Sequence, residues 1–201
     1  MPESSTETRA DGDTRHLILD VAEELLLTRG YVAFSYQDIA ARIGIRKASI
    51  HYHFPSKADL GLAIIERGVA RTQHVRTRDL SDPAARLEDY FRHFEQLNRD
   101  GCRICLGGSL AALLPALPDV MQVAFRNLMR ERHRWLTQVL AAAQRRGAVK
   151  SGLPAADLAM LLAASLQGAV QLARAHGRSE HLGVVVARLR HLLGMPTAAS
   201  N

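Results

Sequence analysis

The chain has 201 residues, 47% hydrophobic and 23% charged, which is ordinary for a soluble globular protein with room for a small domain and a larger one. Its formal net charge of +6 permits a polyanionic partner without demanding one. Aromatics make up only 5%, the apolar content is mainly Leu, Ala, Val and Ile, and no long stretch alternates apolar and polar residues, so the composition argues against a sheet protein. The opening MPESSTETRADGDTR has no apolar segment of the kind a secretory leader needs, and two cysteines without an export signal point to the reducing cytoplasm. The most apolar long window, 157–173, contains Asp157, Gln167 and Gln171 and reads as too short and too polar to span a membrane.

The polar opening, residues 1–13, reads as a disordered arm. A first helix is expected over about 14–29, where Leu17, Ile18, Val21, Ala22, Leu25 and Leu26 form one stripe. Gly30 can end it in a left-handed turn. Ser35 followed by Asp38 reads as a capping-box variant opening a second helix, with Ile39, Ala40 and Ile43 facing inward and Gly44 closing it. A third short helix covers about 47–53, stopped because Pro55 disfavours helical geometry at Phe54. Ser56 with Asp59 caps a fourth that runs to about residue 79. Ala40, Gly44 and Ile50 supply the small residue, the turn glycine and the branched anchor of a helix-turn-helix.

The rest also reads as helical. Leu87, Tyr90, Phe91, Phe94 and Leu97 recur at helical spacing over 83–99. A short helix over about 104–114 is broken by PALPDVM, a long one follows over 118–146, and helices over 155–176 and 179–193 finish the chain before a flexible tail at 196–201. The expected fold is all-α with about nine helices: a three-helix head at 14–57 and a larger helical body at 58–195.

Charge is distributed unevenly. From Arg29 to Lys57 there are five basic residues (Arg29, Arg42, Arg46, Lys47, Lys57) against one acidic residue, Asp38, a local charge of +4. The stretch RGYVAFSYQDIAARIGIRKASIHYHFPSKADL resembles the N-terminal region of TetR-family transcriptional regulators, through Gly30-Tyr31, Phe34-Ser35, Asp38-Ile39-Ala40, Gly44 and the run from Ile50 to Lys57. The resemblance implies a homodimer in which three helices bind double-stranded operator DNA and a variable helical body binds a small molecule that releases it. CLGGSLAALLPALPDVM is similar to a subgroup that includes repressors of acrylate use and resembles others that sense electrophiles. Here Gly107 stands where that subgroup has a second cysteine, and Cys102 lies three residues before Cys105.

Within that frame, Lys47, Ser49 and His51 are expected to meet base edges from the N-terminal half of the third helix, where Lys47 can donate to guanine. Tyr52 and Lys57, with Ser35 and Tyr36 at the start of the second helix, suit backbone contacts that set register, and Arg46 is a further expected DNA-binding residue. His53 divides evenly between phosphate contact and packing. Cys102 and Cys105 have the spacing of half a zinc site, but no second pair follows, so no metal and no cofactor is expected. Two buried thiols is the plainer reading; a thiolate sensor is the other, with Cys105 reactive and Cys102 resolving. Phe91, Phe94, Phe125 and Met129 lie on helices that in this family surround the effector cavity, although apolar residues at helical spacing are usually core. Ala164, Gln167, Gly168, Gln171, Val185 and Leu189 are expected at a four-helix seam between subunits.

No nucleophilic triad, phosphate loop or carboxylate pair stands out, so a non-enzymatic repressor is the leading expectation. Activation or dual control through the same head is one alternative. A small-molecule-binding protein with an inactive head is the other.

Overall fold

The computed structural model describes residues 4–77, 81–99 and 103–195, and all its regular elements there are helical. They are α1 (Ser4–Arg29), α2 (Tyr36–Ile43), α3 (Lys47–His53), α4 (Lys57–Thr77), α5 (Pro83–Arg99), α6 (Leu106–Ala111), α7 (Asp119–Arg145), α8 (Ala155–His176) and α9 (Glu180–Leu192), with one 3-10 turn at Leu114–Ala116. The all-α expectation with a helix-turn-helix head therefore holds. Two boundaries differ. α1 begins at Ser4 rather than Thr14, so it overlaps the arm assigned to 1–13. α6 begins only at Leu106, because the Ile104 amide is drawn away to the Leu27 carbonyl and Cys105 takes extended backbone angles as N-cap. The tail 196–201 and Cys102 lie outside the described residues.

The local signals explain the head. Ser35 and Asp38 form a full capping box: the Asp38 carboxylate accepts from the Ser35 backbone at 2.8 Å while the Ser35 hydroxyl accepts from the Asp38 amide. Ser56 and Asp59 repeat the arrangement at α4. Gly44 has φ 72, a left-handed turn in which a side chain is strained, and this sets the α2–α3 crossing.

Two apolar clusters organise the chain. The first joins the head to the front of the body: Ile18, Leu26, Phe34, Ile39, Ile50 and Phe54 pack with Leu60 and Ile64 of α4, Leu110 of α6, and Met121, Phe125 and Leu128 of α7. It runs across the boundary placed at 57/58. Buried side chains of this size contribute roughly 1.5–3 kcal/mol each. A Cβ at Gly61 would collide with the Met121 side chain, so α4 lies close against α7 there. The second cluster fills the rear with Leu87, Phe91 and Phe94 of α5, Trp135 to Ala143 of α7, and the inner faces of α8 and α9. Arg190 of α9 closes its edge, reaching Glu88 at 2.7 Å and lying 5.1 Å from the Phe91 ring.

α8 is long and apolar enough to cross a membrane by length and composition, at a mean hydropathy of 1.3, a property that the core helix of a globular protein shares, and it does not mark the chain as a membrane protein. Its placement gives another reason for the apolar character. One side packs into the second cluster, and the other side is an outward apolar ridge.

Candidate nucleic-acid interface and effector region

α3 divides sharply between two faces. Ile50 is fully buried and Phe54, its C-cap, nearly so. Arg46, Lys47, Ala48, His51 and Tyr52 are exposed, and Ser49 is partly exposed. Tyr52 is 75% exposed, an unusual state for a large ring unless something outside covers it. Arg46, Lys47, His51 and Tyr52 are therefore open to an outside partner, and Ser49 is partly so. His53 is half-buried, with the Tyr52 ring centroid 5.1 Å away.

His51 is held in a defined pose. Its Nδ1 is 3.2 Å from the Pro55 carbonyl, and its ring is 4.8 Å from that of Tyr36. A carbonyl only accepts, so this contact needs a proton on Nδ1, and Nε2 is the ring nitrogen left for an outside partner.

Tyr36 turns its ring inward from the start of α2. It is buried, and its hydroxyl donates to the Phe54 carbonyl at 2.8 Å rather than to an outside phosphate. Burial, reinforced by the Asp59 charge, pushes its phenol up to about 12. Ser35 remains exposed, but its hydroxyl donates to Asp38 at 2.6 Å, so it acts first as a cap. The Ser35 hydroxyl is the main cause holding the Asp38 carboxyl below its ordinary range, aided by its backbone amide and by Arg29.

Lys57 is half-buried. Its ammonium donates to the Phe34 carbonyl and lies 4.5 Å from the Phe34 ring and 4.8 Å from that of Tyr31. Burial lowers its pKa, partly offset by Asp38. Tyr31 donates to the Lys57 carbonyl at 3.1 Å. Lys47, His51, Lys57, Phe34, Ser35 and Tyr36 together line a groove of about 250 Å³. A groove with two ammonium groups and a helix N-cap on its wall suits a backbone phosphate.

The candidate effector residues fall in two clusters. Phe91 and Phe94 belong to the rear cluster, while Phe125 is in the front cluster and Met129 packs against it. Phe91 and Phe125 are core side chains, each nearly or fully enclosed. Cys105 is a free, buried thiol that donates to the Gln167 Oε1 at 2.8 Å and accepts from the Gly108 amide at 3.5 Å. Burial raises the Tyr90 phenol pKa, and the neighbouring Cys105 adds to that rise. Two buried donors of this region, Trp135 Nε1 and Gln167 Nε2, have no partner among the described residues. Among the described residues no group of three metal-binding side chains forms.

The seam residues also need correction. Ala164, Gly168 and Gln171 are exposed on α8, in line with the exposed Met160, Leu161 and Leu172. Gln167 instead points inward to Cys105, since its position on the 3.6-residue turn falls between the two faces. Leu189 is 6% exposed and belongs to the rear core, and Val185 packs against it; Val184 and Leu192 are the α9 residues that face out.

A helix-turn-helix head with one basic exposed helix, joined by a shared core to an all-helical body, defines a one-component regulator. Comparison with known proteins carries this further. Residues 18–64 match the family described as "Bacterial regulatory proteins, tetR family", and residues 83–189 match "Tetracyclin repressor-like, C-terminal domain". The chain belongs to the TetR family and is a transcriptional regulator with a DNA-binding head and a ligand-binding body. It is 28% identical over 161 residues to the transcriptional repressor DhaR of Mycobacterium sp. (strain GP1), covering 78% of this chain and 80% of that protein. It is also 28% identical over 165 residues to the transcriptional regulator AcuR of Cereibacter sphaeroides, covering 79% and 75%. A TetR-family regulator from Agrobacterium tumefaciens superposes with a TM-score of 0.80 at 32% identity, covering 94% of this chain and all of that one.

Proposed function

We propose that the protein is a cytoplasmic, non-enzymatic repressor that acts as a homodimer on a near-palindromic operator and is released by a small-molecule or thiol-reactive effector at the Cys105 region. The exposure of Lys47, Ser49, His51 and Tyr52 on one face of α3, opposite the buried Ile50, carries the DNA reading. Two such helices in successive major grooves stand roughly 34 Å apart on one side of the duplex. The exposed ridge of Leu161, Ala164, Gly168 and Leu172, with Val184 and Leu192, supports pairing of two copies through α8 and α9. The name of the relative DhaR supports repression. The buried Cys105 thiol, beside a Gln167 amide with an unused donor, supports a sensing role for that region. By linkage, effector and operator then weaken each other's binding.

Selection of duplexes from a random pool by the full-length protein tests this. The expected product is one sequence with two inverted half-sites about one helical turn apart. A pool that shows no enrichment at moderate salt overturns the reading.

A further inference from the structure

We infer that Arg174 is a positioning residue for the DNA head: together with the Ile104 amide it caps the C-terminal carbonyls of α1, and so ties the head to the hydrogen bond between Cys105 and Gln167. The inference rests on the reading that the head binds operator DNA.

The last carbonyls of a helix have no partner within it. In α1 the Gly30 amide takes Leu26 at 3.0 Å, in the normal helical pattern. The next two carbonyls are taken by the body. Leu27 accepts from the Ile104 amide at 3.2 Å, and Thr28 accepts from Arg174 Nη2 at 2.8 Å. Arg174 sits in the last turn of α8, so its guanidinium serves the negative ends of two helix dipoles, its own and that of α1. A guanidinium is permanently charged and has several donors, which suits it to this double role.

These two contacts share an origin. Ile104 is the chain neighbour of Cys105, and Gln167 lies two turns before Arg174 on the same side of α8. The Cys105–Gln167 bond therefore joins the two routes to α1 into a ring: Cys105, Gln167, Arg174, Thr28, Leu27, Ile104 and back to Cys105. There is little slack in it, because a Cβ at Gly108 would collide with the Gln167 amide. A displacement at Cys105 reaches α1 directly through Ile104, and along the rigid α8 through Arg174. Beyond α1 lie the Gly30 turn and Tyr31, whose hydroxyl holds Lys57 at the DNA face. The pose of α2 and α3 thus follows the end of α1.

The test uses the full-length protein with Arg174→Ala, Arg174→Lys, Gln167→Ala and the Arg174→Ala/Gln167→Ala double variant. Hydrogen–deuterium exchange is read over residues 26–36, and affinity is read on a duplex selected by the unaltered protein. Arg174→Ala and Gln167→Ala should each raise exchange over 26–36 and each weaken the duplex about fivefold or more, with Arg174→Lys holding within about twofold. The double variant should be no worse than the weaker single one, since both changes open the same ring. Exchange changes confined to 165–180, or losses that multiply in the double variant, overturn the inference. Should the unaltered protein select no duplex, the DNA reading fails, and the exchange over 26–36 alone decides whether the ring positions the head.

Discussion

The Tyr36 hydroxyl donates to the Phe54 carbonyl at 2.8 Å, joining the first residue of α2 to the C-cap of α3. The bond fixes the two reading helices as one unit. Tyr36→Phe removes the donor and leaves a buried carbonyl without its partner, at an expected cost of about 1–3 kcal/mol. Chemical denaturation followed by circular dichroism measures it. The same residue predicts an alkaline effect. Its pKa rises from 10.0 to about 12 in the folded state, so the folded chain holds this proton more tightly than the unfolded one. The stability it contributes is complete below pH 10 and is lost as pH climbs through about 12. Tyr36→Phe should flatten that part of the alkaline decline, and an unchanged slope would remove the assignment.

The groove beside α3 separates affinity from sequence choice. Lys57→Ala should weaken all duplexes alike and reduce the salt dependence by about one unit of slope, as expected for one lost phosphate contact. Ser49→Ala should leave that slope intact and relax the preference at one base pair, because the role proposed for its hydroxyl is at a base edge. Titrations at several salt concentrations against matched and mismatched duplexes distinguish the two. Identical behaviour of both variants would contradict this division.

The outward ridge of α8 predicts the assembly state. Leu172 is 55% exposed and Gly168 is open to solvent in the single chain. Leu172→Glu places a charge in the centre of the proposed seam, where it would be buried without a partner. Sedimentation velocity should then show a folded monomer in place of a dimer. A dimer that survives this change would locate the seam elsewhere.

Cys105→Ser keeps a hydroxyl donor for Gln167 but loses the nucleophilic sulfur. Basal operator binding should stay close to that of the unaltered protein. Release of the duplex by acrylamide, a small neutral thiol alkylator, should disappear. Release that persists in this variant would move the sensing thiol away from Cys105.

The helix-turn-helix was legible because its signals are local: two capping boxes, Gly44 at a left-handed turn and Pro55 as a stop act within a few residues of each other. The inward turn of the Tyr36 ring was not legible, because a helix-start position says where a backbone lies but not which way a ring turns. The inward placement of Gln167 and Leu189 escaped the sequence for a related reason. α8 and α9 are apolar over much of their circumference, so periodicity alone does not separate the core side from the outer side. Phe91 and Phe125 both read as large apolar residues on body helices, yet they fall in different clusters, a difference that depends on how α5 and α7 pack.

What the sequence by itself determined is the helical class, the order of the elements, the helix-turn-helix and the family. These follow from spacing, caps and residue type, which act over one or two turns of chain. The tertiary structure alone decided that Cys105 meets Gln167, that Lys57 rests on Phe34, and that Arg174 caps a helix 146 residues earlier. Such pairs join positions far apart in the chain, and no local pattern encodes them. They arise only when packing brings two helix ends or two faces together and leaves a polar group that needs a partner.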